Sequence, residues 1–330
     1  MIKIFIISLL IILCVCSNVE MEAKNPLSAV QYIGAGMDAK KAIFGLAPLF
    51  KLTYTGGKTW ISPHTKTTYN VPDQLIVSND YQVHEQVLQD SYQTYDMYLK
   101  TYVSYWNFNI SASKGDASLG FKYNHELGTV KCQLQNTTKT MMHGDHSWYF
   151  YVANMYPPSI LKLDPMFELA IEDLPKQVLN SSDKQSYTDF VTTFGTHFTY
   201  RALFGAKVNF NTFMSNSFAN KYSKQWTNTQ YGLYFHYKLF NISADGYKNQ
   251  SDIKVSEEFL KSANASVNFY GGDPSFAHLD NLTDWTETIE QFTYPINTTV
   301  TGIWELVKNN PLKQKSLYSF VNNYINEDTL

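Results

Sequence analysis

Residues that could do covalent or acid–base chemistry are few and poorly placed in this sequence. No Gly-X-Ser-X-Gly elbow presents a serine, and Cys132 lacks the flanking residues of a cysteine nucleophile. His143, Asp145 and His146 are metal-ligand types, but a three-residue cluster beside Gly144 fits a turn better. Gly34-Ala35-Gly36 lacks the third glycine of a dinucleotide loop and follows no clear buried strand. Glu257-Glu258 reads as a solvated helix face. Arg201 is the only arginine, so no forked guanidinium cluster can grip phosphate or carboxylate. The chain is not read as an enzyme, and no catalytic residue, metal or cofactor is assigned.

The elements that must do the positioning come from an apolar, aromatic chain. Its 330 residues are 44% hydrophobic, 15% aromatic and 17% charged. That is enough apolar material for a large core, and too much for a disordered chain. A net charge of −3 excludes the basic excess of a nucleic-acid binder. Lys3 followed by the apolar run Ile4 to Val15 and the small residues Cys14, Cys16 and Ser17 reads as a secretory signal peptide over 1–17. That run is shorter than the ~20 residues needed to span a bilayer. Secretion is the expectation, with Cys132 then left as the lone cysteine. Asn-X-Ser/Thr acceptors at Asn136, Asn180, Asn249, Asn264, Asn281 and Asn297 fit that route, and Asn109 and Asn241 share the motif.

Residues 27–105 hold short apolar runs broken by turn residues, which predicts irregular strands and a helix or two. Two helices follow. The first spans 164–176, with Asp164 as N-cap, Pro165 at the first position and Phe167, Ala170, Ile171 and Leu174 on one face. The second spans 182–194, capped by Ser182 and ended by Gly195, with Tyr187, Phe190, Val191 and Phe194 on one face. Period-two alternation appears at 104–112, 117–123, 207–214 and 231–239. Such strands have one apolar and one wet face. They fit either a half-solvated antiparallel sheet or a lipid-facing barrel wall, and the pattern alone leaves both open. The pentapeptide 108–112 recurs at 240–244, as two equivalent halves of a duplicated device would.

One stretch is distinctive: Tyr187, Phe190, Phe194-Gly195-Thr196-His197-Phe198 and, six residues on, Gly205-Ala206. It resembles the signature of the membrane attack complex/perforin (MACPF) family, with Phe194 for the usual Tyr or Trp and Ala206 for a second glycine. Tyr32 to Asp38, Phe167 to Pro175, Val267 to Pro274, Trp285 and Pro295 to Leu306 resemble other family segments in the right order. The resemblance covers roughly residues 30 to 307. It divides the chain into the leader, a MACPF domain over 25–307 and a short C-terminal helix or tail over 308–330.

The resemblance implies an α+β fold: a bent four-stranded antiparallel sheet flanked by two helical clusters. Those clusters would unwind into amphipathic hairpins when copies assemble on a membrane. The implied insertions are about 113–145 and 209–265. Over 103–152 each limb has roughly 25 residues, about 80 Å extended, whereas a spanning limb needs only ~9–11 in the bilayer. Candidate membrane-facing residues are Leu119, Phe121, Val208, Phe210, Met214, Leu233, Phe235 and Tyr237. Gly205, Gly271 and Gly272 are read as sheet-bend glycines. His197 reads as a core histidine bonded to backbone, with a pH-titrating switch as the second reading. Arg201 is expected to anchor its face of the sheet by a buried ion pair. The implied function is a secreted perforin-like protein that oligomerises on a membrane and inserts two hairpins per subunit, with a partner protein for targeting as a further expectation. The rivals are a non-lytic module for adhesion, recognition or signalling, and a secreted hydrolase.

Overall fold

Three long strands form the frame. The computed structural model describes residues 25–41, 43–98, 109–111, 125–135, 138–240 and 255–326. The leader, Leu119, Phe121, Asn136, Asn241 and Asn249 lie outside the described residues. In chain order the strands are β1 (Ala35–Asp38), β2 (Ile43–Pro48), β3 (Thr59–Ile61), β4 (Thr68–Asn70), β5 (Leu75–Tyr92), β6 (Asn109–Ser111), β7 (Lys139–Met155), β8 (His197–Ser215), β9 (Asn264–Tyr270) and β10 (Tyr294–Gly302). The helices are α1 (His125–Leu134), α2 (Pro165–Asp173), α3 (Ser181–Phe194), α4 (Asn216–Ala219), α5 (Lys224–Phe240), α6 (Glu257–Ser262), α7 (Leu282–Thr288) and α8 (Pro311–Asn326).

Strand β7 pairs antiparallel with β5 on one edge and β8 on the other. The far edge of β8 is shared: β10 pairs with it from His197 to Gly205, and β9 from Lys207 to Phe213. Together β9 and β10 are one interrupted fourth strand, broken by the excursion 271–293. The α+β class and the four-stranded antiparallel core therefore match the sequence expectation. Short β1 and β2 extend the sheet beside the start of β8. Segment β6 runs parallel to Thr299–Thr301 of β10 and holds Asn109.

Helix α2 starts as the sequence predicts, with the Asp164 carboxylate accepting the Met166 N–H at 2.9 Å and Pro165 in the first turn. Helix α3 corrects its predicted cap. It begins at Ser181, and Asn180 rather than Ser182 accepts the Asp183 N–H. A second correction is larger. Residues 231–239 are not a strand but the C-terminal half of α5. Tyr231, Tyr234, Phe235 and Leu239 are buried, a three-and-four spacing that satisfies a helix as well as the alternation satisfies a strand. The strand β5 was also hidden: its 18 residues are rich in Asn, Asp and Gln, which blunts any period-two signal. Helix α8 packs onto α3, with Tyr187 and Phe320 ring centroids 5.4 Å apart and Leu317 and Val321 buried.

Among the described residues no helix is long and apolar enough to cross a membrane. Of the glycosylation motifs, Asn180 and Asn264 are exposed, Asn297 is half-buried in β10, and Asn281 lies in a short 3-10 turn.

Candidate functional site

Bulges bend strands, and three of the sheet's register irregularities fall on one transverse line. Register shifts fall between Asn79 and Gln82 against β7, between Tyr149 and Tyr151 against β8, and between Pro295 and Asn297 against β8. Gly205 stands on that line. A Cβ there would collide with the Trp148 carbonyl oxygen, so the two strands can close on each other only over hydrogen. Gly271 leaves β9 at φ 77° and fits against Gly205: a Cβ on it would sit 2.8 Å from the Gly205 carbonyl oxygen. Gly272, at φ 65°, lies flat on the Trp285 indole. That indole is fully buried, donates to the Gly271 carbonyl at 3.1 Å and meets Trp148 and Phe269 edge-on. Trp285 thus fastens the excursion 271–293 to the bend.

The signature residues hold the upper end of β8. Phe190 and Phe194 pack on Phe167, and the Tyr187 hydroxyl donates to the Pro175 carbonyl at 2.8 Å. Gly195 ends α3 at φ 84°, its N–H reaching the Val191 carbonyl, and sits on the Met37 backbone with no room for a Cβ. Thr196 then bonds the Met37 carbonyl through its N–H, while its hydroxyl accepts the Ala39 N–H. Phe198 meets Phe50 at 5.4 Å, and Ala206 is fully buried one residue beyond the bend.

His197 is a core residue. Its Nδ1 lies 2.9 Å from the Thr196 hydroxyl, its ring meets Trp304 edge-on, and its Nε2 has no hydrogen-bond partner among the described residues. Burial lowers its pKa from 6.5 to about 4, so the ring is neutral at ordinary pH. Arg201 does not behave as expected. A register shift between Thr199 and Arg201 interrupts the alternation that would have placed it with His197. No ion pair reaches it among the described residues, and it is only partly buried.

Below the bend the two faces of the sheet differ in kind. Cross-strand register aligns Gly144 with Phe210 and Val267, and His146 with Val208 and Phe269. This face takes helix α5. The Tyr231 hydroxyl donates to the Phe210 carbonyl at 3.0 Å, and Phe235 meets the Phe210 ring at 5.5 Å. An aromatic seam continues outward through Tyr234 and Phe259 to Trp226 and Phe218. Of the candidate membrane-facing residues, Val208, Phe210, Met214 and Phe235 meet in this seam's core, whereas Leu233 and Tyr237 are only half-buried on α5.

The opposite face aligns Asp145 with Asn209 and Asn268, and His143 with Asn211 and Ser266. Lys207 and Asp145 form an ion pair at 3.6 Å with both side chains 3% exposed, and the Ser147 hydroxyl donates to the same carboxylate. His143 Nδ1 bonds the Asn211 side chain, and Tyr98 lies over the His143 ring at 5.6 Å. The His143–His146 run is therefore strand and not turn. Its alternation sends His146 to the other face, and no metal-holding group of three forms among the described residues. Sequence reasoning missed this ladder although its signal was present, since His143, Asp145 and Ser147 alternate with Met142, Gly144 and Trp148. Away from the sheet, a groove of about 790 Å³ between α3 and α8 is lined by Lys40, Lys184 and Lys315 with Leu179 and Leu312, and contains none of the enzymatic candidates.

A four-stranded antiparallel core with close-packed glycines along its line of irregularities occurs together with a match to the MAC/Perforin domain over residues 21–330. This chain belongs to the MAC/Perforin family. The 67 kDa subunit of Perivitellin-2 from Pomacea canaliculata is 25% identical over 331 residues, covering 96% of this chain and 56% of its own length. Its counterpart in Pomacea maculata is 25% identical over 332 residues with the same coverage. The chain thus spans about half the length of these curated relatives. Among solved structures, GNIP1Aa from Chromobacterium piscinae superposes with a TM-score of 0.63 at 14% identity, over 91% of this chain and 56% of that one. A Bacteroides thetaiotaomicron protein with a MAC/Perforin domain gives 0.51 at 11% identity, over 92% and 63%. At these identities the structures speak for the MAC/Perforin fold alone.

Proposed function

We propose that this MAC/Perforin chain is secreted, oligomerises on a target membrane and inserts two β-hairpins per subunit to form a pore. The observation that carries the reading is the double patterning of 231–239. In the monomer this segment is helix, with Tyr231, Tyr234, Phe235 and Leu239 buried at helical spacing. The same residues alternate apolar and polar as a barrel limb requires, with Leu233, Phe235 and Tyr237 on the apolar side. It is flanked by β8 and β9, strands already in register and already two-faced, so an unwound α5 would simply lengthen them. Lys221, Lys224 and Lys254 would then face the lumen or lie beyond the bilayer, because a lysine on the lipid face at mid-membrane costs ~2–4 kcal/mol.

Glycosylation at the exposed Asn180 belongs to the same reading, as does the leader. The test is release of a trapped dye from liposomes by purified mature protein, with rings or arcs sought by electron microscopy. Release with rings supports the proposal. Membrane binding without release, across several lipid compositions, would leave a non-lytic adhesion or recognition module as the function.

A further inference from the structure

We infer that the polar face below the bend lines the pore lumen, and that Lys207 and Asp145 set its charge preference. The inference rests on the pore reading above. In a barrel the wall alternates between lipid and water, so the face bearing Asp145, Asn209, Asn268 and Ser266 must turn inward. Its opposite carries Val208, Phe210, Val267 and Phe269. The ion pair points the same way. An ion pair held 3% exposed is weak evidence of a stabilising role, because desolvation offsets much of the attraction. A face that later meets water explains it: there both groups are solvated and the ladder of amides and hydroxyls needs no cover.

In such a lumen every subunit contributes the Lys207 ammonium and the Asp145 carboxylate two residues apart along the strands, Lys207 opposite Ser147 and Asp145 opposite Asn209. The adjacent rings offset each other, and this stretch of the wall favours neither ion. Removing either charge therefore exposes the other ring, with opposite consequences.

The experiment is the reversal potential of single pores in planar bilayers under a potassium chloride gradient. Lys207→Gln should move it toward the potassium equilibrium potential, and Asp145→Asn toward that of chloride. Unshifted values, or shifts of the same sign, in a conducting protein overturn the inference and leave the pore reading standing. No conductance from the unaltered protein overturns both. Since either variant could fail to fold with its partner left buried, a second pair keeps the test decisive. Ser147→Cys and Val267→Cys are made in a Cys132→Ser background and treated in the open pore with an anionic methanethiosulfonate. Modification should change the current at position 147 and leave it unchanged at 267. The reverse result contradicts the assignment of faces.

Discussion

On one face of the sheet below Gly205, β7, β8 and β9 present Gly144, Phe210 and Val267 to helix α5; on the other they present Asp145, Asn209 and Asn268. The first face is held by aromatic burial, which is favourable only while some apolar medium covers it. The second is held by hydrogen bonds and an ion pair, contacts that water can replace at a small net cost. The same three strands therefore carry one face that needs an apolar cover and one that tolerates water.

The comparison is broken most severely at its two centres. Phe210→Ala should lower unfolding stability by about 3–5 kcal/mol in urea titration, through loss of the contacts to Tyr234 and Phe235. Lys207→Met alone should cost about as much by stranding the Asp145 carboxylate, whereas Lys207→Met with Asp145→Leu should restore most of it. An apolar double replacement that stays as unstable as the single one would show that the polar face is essential to the monomer.

Next in size is a control from above the bend. The folded pKa of His197, about 4, lies below its ordinary 6.5, so the unfolded chain takes the proton first as pH falls. Stability is intact above pH 6.5 and declines toward pH 4, by about 3 kcal/mol in all. Urea midpoints across that interval should show the slope, and His197→Gln should flatten it. A stability that rises on acidification would contradict the buried neutral ring. Gly205→Ala follows, at about 1–3 kcal/mol, since its methyl group must push the Trp148 carbonyl aside. Smallest is Tyr98→Phe on the polar face. Its hydroxyl contact to His143 is 3.5 Å long, and the loss should stay below about 1 kcal/mol.

How much of this was legible in the sequence depended on whether local and long-range signals agreed. Asp164 with Pro165, and Gly195 after Phe194, announced helix ends because the cap chemistry is local. Gly205 stood out by its place six residues after the Phe194–Phe198 string, before any strand was paired. Residues 231–239 misled because two periods coexist there, and only packing against Phe210 selects the helix. The Lys207–Asp145 pair lies 62 positions apart in sequence, and no local pattern joins those two residues. Arg201 failed for a similar reason: the extra residue Tyr200 in β8 shows only in the pairing with β10, where Thr299 faces Arg201 and Val300 faces Thr199.

The decisive measurement fastens α5 to its own sheet. A side chain at Gly144 would meet the Phe235 ring at 3.1 Å, so Gly144→Cys with Phe235→Cys, in a Cys132→Ser background, can staple helix to strand. With the bond formed and verified, dye release from liposomes should vanish, and return when dithiothreitol is added. Release at an undiminished rate through an intact staple would contradict the conversion of α5 into membrane-spanning strand.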